Sequence, residues 1–351
     1  MYLATHGVWR LLVLAIVAGL ALVPAMGNAD SSFYETPLFG VATAPDGSLI
    51  VADAGQGLVD ADDGSLIASL PGVTDVAPMA GGGLWALTGI EPGPSTLYKV
   101  DGEGNAVHFA DILGFEAKRN PHPAEIDSNA FDVADLGGGE ALVAEAGGND
   151  LLKVNKHGKV KLVAVLPDEL VSTANAKSLA GCPDPPSPDL VEICELPDMM
   201  PAEPVATSVT IGPDGAYYVG ELKGFPAPTG ESKVWRIEPN ARNAKCGHSP
   251  LCSVVFDGFT SVIDLTFGPD GRLYVAQIDD ASWFAVEAAQ EGLDVMAGGS
   301  VHACDLATQG CEEVISGLPI LTSIAFRNDG SLWGSIWSLV PGMGDVVQLA
   351  P

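Results

Sequence analysis

Short apolar runs alternate with glycine-rich turns along most of this chain, and one phrase returns with them. Ala44-Pro45-Asp46-Gly47 is followed by Ser48-Leu49-Ile50-Val51-Ala52-Asp53; Gly212-Pro213-Asp214-Gly215 leads into Tyr217-Tyr218-Val219-Gly220-Glu221; Gly268-Pro269-Asp270-Gly271 leads into Leu273-Tyr274-Val275-Ala276-Gln277. Arg327-Asn328-Asp329-Gly330 is a degenerate copy, and the triplets Gly81-Gly82-Gly83 and Gly137-Gly138-Gly139 keep the glycines and the strand that follows. Pro sets φ and Gly accepts a positive φ, so each phrase reads as a hairpin turn between two strands. Taking Gly47, Gly82, Gly139, Gly215, Gly271 and Gly330 as equivalent gives six units. Third strands such as Thr96-Leu97-Tyr98-Lys99-Val100 and fourth strands such as Val160-Lys161-Leu162-Val163-Ala164 follow within units. Six repeats of four antiparallel strands predict an all-β, six-bladed β-propeller with loop insertions mainly on one face.

The last unit ends at Pro351 without a fourth strand, and Ser32-Phe33-Tyr34-Glu35 is expected to supply it and close the ring. In such a ring the glycine hairpins open on one face. The long segments, residues 114–129, 167–205, 223–232 and 278–299, fall on the other, with a helix expected over residues 281–291. Insertions on one face are a common way for a scaffold to acquire a site.

The first 29 residues have a different pattern. A thirteen-residue apolar run, residues 11–23, is followed by Gly27-Asn28-Ala29, which predicts an export signal cut near Ala29 and a single domain over residues 30–351. The run is too short to span a bilayer, so no mature transmembrane segment is expected, and the chain is read as secreted, extracellular or periplasmic. The six cysteines agree, because they fall into local pairs: Cys182 with Cys194, Cys246 with Cys252, Cys304 with Cys311. The first pair would close a proline-rich insertion around residues 168–203, where a bridge removes about 3 kcal/mol of unfolded-chain entropy. Asp60-Ala61-Asp62-Asp63-Gly64 lacks the register of a calcium loop and is read as a turn.

Charge narrows the partners. With 45 acidic residues against 16 basic ones the net charge is −29, which excludes nucleic acid as a ligand. A small molecule, glycan or protein on the loop-bearing face is the expected partner of a monomer.

The repeat register also predicts a constellation. Seven residues before each turn glycine stand Gly40, Asp75, Asp132, Ser208, Asp264 and Ser323, at the start of the innermost strand; six residues after it stand Asp53, Thr88, Glu145, Glu221, Gln277 and Ile336. Asp75, Asp132 and Asp264 should therefore crowd the mouth of the axis, with Glu145, Asn149 and Glu221 on the same face. Crowded carboxylates call for neutralisation, either by a hard cation, Ca²⁺ or another divalent ion, or by N–H groups that the aspartates cap. Trp283, in an insertion, is the tryptophan singled out as a ligand platform.

The stretches Ser128-Asn129-Ala130-Phe131-Asp132-Val133, Leu142-Val143-Ala144-Glu145-Ala146-Gly147-Gly148-Asn149-Asp150, Thr207-Ser208-Val209 and Ile263-Asp264-Leu265-Thr266-Phe267 resemble the ScyD/ScyE family of secreted bacterial propellers. That resemblance implies export and a propeller, and carries no catalytic residues over. It is also compatible with an accessory role in assembling an extracellular secondary metabolite. More distantly, the chain resembles sugar-lactone hydrolase propellers that hold an axial divalent cation with a Glu, Asn and Asp set, to which Glu145, Asn149 and Asp264 would correspond. The main functional expectation is an exported binding or scaffold protein; the alternative is a metal-assisted hydrolase of an ester or lactone. Whether the chain is an enzyme, and which residues would be catalytic, the sequence leaves open.

Overall fold

The computed structural model describes residues 34–122, 126–290 and 292–349, and the expected export signal lies outside them. Six antiparallel sheets follow one another around a ring. Blade 1 is β1 (Leu38–Thr43), β2 (Leu49–Asp53), β3 (Gly57–Asp60) and β4 (Leu66–Ser69); blade 2 is β5 (Val73–Pro78), β6 (Leu84–Thr88), β7 (Thr96–Val100) and β8 (Ala106–Asp111). Blade 3 is β9 (Ala130–Gly137), β10 (Glu140–Glu145), β11 (Asp150–Val154) and β12 (Val160–Val165), after which β13 (Glu169–Ser172) and β14 (Met199–Ala202) form a separate hairpin. Blade 4 is β15 (Pro204–Ile211), β16 (Tyr217–Lys223), β17 (Ser232–Ile237) and β19 (Cys252–Phe259), while β18 (Ala244–Lys245) runs parallel to β12 as a fifth strand of blade 3. Blade 5 is β20 (Val262–Phe267), β21 (Leu273–Gln277), β22 (Gly299–Asp305) and β23 (Gly310–Leu318); blade 6 has β24 (Ser323–Phe326), β25 (Leu332–Ile336) and β26 (Asp345–Gln348).

The six-bladed fold is thus as expected, with a difference at the closure. Blade 6 has three strands among the described residues, and Tyr34 and Glu35 are not in a strand; Ser32 and Phe33 lie outside those residues. Tyr34 is instead buried against Leu38, Leu49 and Val346. The Glu35 N–H donates to Asp53 Oδ2 at the end of β2, at 2.7 Å. Between blades 6 and 1 the inner strands meet directly: Thr322 Oγ1 donates to the Leu38 carbonyl at 2.8 Å and Thr43 Oγ1 to the Phe326 carbonyl at 2.8 Å.

The apolar pattern has a simple origin in this packing. Second strands are covered by a neighbouring blade on each face, so β2, β6 and β21 are buried at every position and read as continuous apolar runs. Rim strands such as β8 and β19 keep exposed positions. Leu142, Leu151, Val209, Val219 and Trp235 fill the gap between blades 3 and 4, as Trp85, Leu87, Val133, Val143 and Leu152 do between blades 2 and 3.

The recurrent turn also has a common construction. Gly47, Gly215, Gly271 and Gly330 each donate to the carbonyl three residues back at 2.9 Å, and the preceding Asp accepts the N–H two residues on. Gly47 and Gly271 have φ of 95° and 80°, outside the range comfortable for other residues. The first residue of the phrase has a separate reason. A Cβ on Gly212 or Gly268 would lie 2.3 or 2.5 Å from the ring of Tyr218 or Tyr274, so glycine stands where the second strand brings a tyrosine back over the turn.

All three disulfides form as paired in the sequence reading. The residue 60–64 segment is the turn between β3 and β4, also as expected. The helix expected over residues 281–291 is α4, Trp283–Gln290, while α1 (Ile112–Arg119), α2 (Ala174–Leu179) and α3 (Val191–Cys194) were not expected. For α1 the signals are nonetheless in the chain: Asp111 caps Gly114 N at 2.7 Å, Lys118 and Arg119 fill the last turn, and Asn120 ends it in the left-handed region. The insertions join above the ring. Asn175 Nδ2 reaches the Ala227 carbonyl at 2.7 Å and Ser282 Oγ at 3.0 Å, beside an apolar cluster of Ala176, Ala227 and Phe284. Trp283 belongs to this packing, with its indole N–H on the Lys223 carbonyl at 2.8 Å and its ring half-buried. Among the described residues no helix is long and apolar enough to cross a membrane.

Candidate functional site at the mouth of the axis

The inner-strand register brings its predicted residues together in a specific way. Asp75 Oδ2 accepts Val133 N at 2.8 Å, Asp132 Oδ2 accepts Val209 N at 2.8 Å, Asp264 Oδ2 accepts Ile324 N at 2.7 Å, and Ser323 Oγ accepts Val41 N at 2.9 Å. Each acceptor is a ring position, and each donor is the residue after the ring position of the next blade. The aspartates therefore belt neighbouring blades together. The pattern lapses at Ser208, whose buried hydroxyl has no hydrogen-bond partner, because Leu265 N is taken by Asp264 Oδ1 at 2.7 Å. It also lapses at Gly40, which has no side chain.

Gly40 has its own role. A Cβ there would lie 1.7 Å from Asp75 Oδ1, so the absent side chain is the space that the Asp75 carboxyl fills. Gly40→Ala should push that carboxyl off Val133 and cost about 1–3 kcal/mol. Chemical denaturation checks this against Gly81→Ala, at a glycine whose Cβ would meet nothing within 4 Å. Equal midpoints for the two variants would show that Asp75 is not held by this space.

Electrostatically the ring is tense. Asp75 and Asp132 lie near enough to titrate together, the charge of Asp75 raising Asp132. Burial pushes Asp75 up to about 7 and Asp264 up to about 8, the latter helped by the charge of Asp132; burial and then the charge of Asp75 hold Asp132 well above the carboxylate range. Asp75 is buried, while Asp132 and Asp264 keep part of their surface open. As a cation site the trio is a poor fit as it stands. One oxygen of each aspartate is already held by a backbone N–H, and among the described residues no three Asp, Glu, His or Cys side chains form a metal-binding group.

The second register ring holds loops. Asp53 accepts Gly55 N at 2.9 Å and Gln56 Nε2 at 2.8 Å, Thr88 Oγ1 donates to the Pro94 carbonyl at 2.7 Å, and Gln277 Nε2 donates to Ser300 Oγ at 2.7 Å. Glu221 is fully buried and paired with Lys223, itself buried, which also contacts Glu169 Oε2 at 2.6 Å; Trp235 Nε1 donates to Glu221 Oε2 at 2.5 Å. So Glu221 is neutralised by its own neighbour two residues on. Glu145 and Asn149 belong to a different group from Asp264. Glu145 accepts from Ser128 Oγ at 2.9 Å and from Gly148 N, and the charge it responds to is that of Glu116, whereas Asp264 responds to Asp132. Glu116 and Asp150, which complete the Glu145 group, were missed in the sequence. Glu116 needs α1 to be recognised, and Asp150 faces Glu145 across the β10–β11 register.

The fold and ring define the chain as a six-bladed β-propeller with a carboxyl-lined axial mouth. No protein-family model matches the chain, and no curated protein matches it in sequence. Solved structures do resemble it. A virginiamycin B lyase from Staphylococcus aureus superposes with a TM-score of 0.52 at 13% identity, over 92% of this chain and 84% of that one. A gluconolactonase from Xanthomonas campestris does so with 0.54 at 10%, over 91% and 89%, and a protein of unknown function from Bacteroides thetaiotaomicron with 0.54 at 10%, over 93% and 73%. At such identities the likeness establishes the fold alone.

Proposed function

We propose that this propeller hydrolyses a small ester or lactone at the loop-bearing mouth of its axis. The observation that carries the reading is the convergence of Asp75, Asp132 and Asp264 on the axis, where burial and their mutual charge hold the carboxyls above the ordinary range, so that a neutral carboxyl stands beside a charged one near neutral pH. Asp132, more open than Asp75, is the group a bound carbonyl compound would meet. The charged carboxyl takes a proton from water as the water oxygen bonds to the carbonyl carbon. The neutral one gives its proton to the alkoxide as the carbon–oxygen bond breaks. Water is thereby divided between acid and alcohol, and no step is routed through a metal. The similarity in fold to a gluconolactonase is in keeping with this substrate class without establishing it.

A second reading, binding without turnover, is favoured by the capping geometry, because every axial aspartate also has a structural task. Export and kinship with ScyD/ScyE proteins, including an accessory role in extracellular metabolite assembly, are part of the proposal; three disulfides support an oxidising compartment. Turnover of a panel of lactones and aryl esters decides between the two. Hydrolysis that falls at least a hundredfold in Asp132→Asn, with an unchanged melting curve, supports the hydrolase. Saturable binding of a panel member with no turnover supports the binding protein and removes the aspartates from catalysis.

A further inference from the structure

Away from the axis, four elements of the blade 2 and 3 region bring acidic and amide side chains into one buried place. Glu116 comes from α1, Asn129 from the segment before β9, Glu145 from the end of β10, and Asn149 and Asp150 from the turn into β11. Glu116, Glu145, Asn149 and Asp150 are all at most 1% exposed. Asn149 has φ of 57°, the left-handed conformation that the tight Gly147-Gly148-Asn149 turn around Glu145 requires.

Three carboxyls in such a place need partners, and the protein provides few. Glu145 is served by Ser128 Oγ at 2.9 Å and by the Gly148 N–H. Glu116 Oε1, both oxygens of Asp150, the side-chain oxygen of Asn129 and both amide atoms of Asn149 are buried with no hydrogen-bond partner. No Lys, Arg or His forms an ion pair with Glu116, Glu145 or Asp150 among the described residues. The other buried acid of the second ring shows what is missing, because Glu221 has Lys223 beside it. A Cβ built on Gly148 would stand 2.8 Å from Glu145 Oε2 and 2.9 Å from Glu116 Oε2, so the bare glycine is what lets the two carboxyls approach each other over this turn.

We infer that Glu116, Glu145 and Asp150, with the side-chain oxygens of Asn149 and Asn129, form a buried Ca²⁺ site that ties α1 to the β10–β11 turn. Oxygen-only donors, mixed between carboxylates and amides, match a large hard cation with flexible coordination, whereas Mg²⁺ demands a stricter octahedron and keeps its waters. Burial holds all three acids above the ordinary carboxylate range, so Ca²⁺ would bind them by displacing protons. Among the described residues no three acids stand in finished metal-binding geometry, so the site requires Glu116 and Asp150 to move inward as the ion binds. The site is separate from the axial aspartates and does not depend on their chemistry.

Calorimetric titration of the full chain with CaCl₂ after chelation, at 0.15 M salt, tests the inference. One Ca²⁺ per chain is expected, with binding weakened at least tenfold in Asp150→Asn and in Glu145→Gln and unchanged in Asp264→Asn. Both substitutions replace an acid that has no basic partner by a neutral isostere, and melting curves without Ca²⁺ confirm that they fold. If either fails to fold, Glu116→Gln, on a surface helix, carries the test. No saturable heat in the wild-type chain, or equal binding in all variants through its diffuse surface charge, overturns the site. Loss of Ca²⁺ binding with lactone turnover intact leaves the axial reading standing, and the reverse leaves this one.

Discussion

Lys223→Met should be among the most damaging single substitutions in the protein. Lys223 and Glu221 are both buried, and Lys223 also reaches Glu169, which contacts Lys233 at 2.5 Å. Methionine fills nearly the same volume, so packing is largely kept and the charge alone is removed. Glu221 would then retain only the Trp235 N–H for a carboxylate that burial already pushes upward. Leaving one member of a buried ion pair alone costs about 3–5 kcal/mol, which for a chain of this size lowers the melting midpoint on the order of 10 °C. The double variant Lys223→Met with Glu221→Gln removes both charges and should recover most of that loss. A single variant that melts within about 2 °C of the parent would mean that the pair is hydrated and contributes little.

Stability should fall as the pH rises from about 5 to about 8, a trend set by the axial carboxyls together with the buried Glu116, Glu145, Asp150 and Glu287. Asp75, Asp132 and Asp264 hold their protons in the folded ring at pH values where the unfolded chain has lost them. The folded state then binds more protons than the unfolded one. The stabilisation is complete below the ordinary carboxylate range and is lost as the pH passes through the raised values, about 7 for Asp75 and about 8 for Asp264. Exposed acids act in the opposite sense, but lower down. Ser and Asn hydrogen bonds hold Asp46, Asp63, Asp101 and Asp329 below their usual value, so their contribution disappears only in strong acid. Melting in chelated buffer at constant ionic strength is expected to give a midpoint about 5 °C lower at pH 8 than at pH 5.5. Asp264→Asn should flatten the slope, since an amide has no proton to retain. A flat or rising midpoint in the parent protein would show that the three carboxyls are ionised throughout.

Much of the architecture was legible in the chain because it is carried by local rules. Each Pro-Asp-Gly phrase sets its own turn through the φ of Gly47 or Gly271 and the Asp that caps two residues ahead, and three such turns with three degenerate glycine copies at equivalent register imply a ring. The cysteine pairs are close in sequence, so their pairing followed from proximity. The axial residues were legible for the same reason: equal distances from equivalent turns place Asp75, Asp132, Asp264 and Ser323 at equivalent heights.

What those residues do was decided by the tertiary structure. Whether a ring aspartate meets a cation or a backbone N–H depends on the neighbouring blade, and the neighbour offers Val133, Val209 or Ile324 at hydrogen-bond distance. The fate of the second ring was likewise invisible in its residue types. Glu145 and Glu221 occupy the same register position, yet one is answered by Lys223 on its own strand and the other gathers Glu116 and Asp150. At the expected closure Tyr34 and Glu35 stand outside any strand, with the Glu35 N–H on the Asp53 carboxylate, while Ser32 and Phe33 lie outside the described residues. Residue spacing sets where a side chain stands along its own strand, because a strand's rise and alternation are local properties. Only the packing of blade against blade selects its partners, because the groups that compensate a buried charge come from distant parts of the chain.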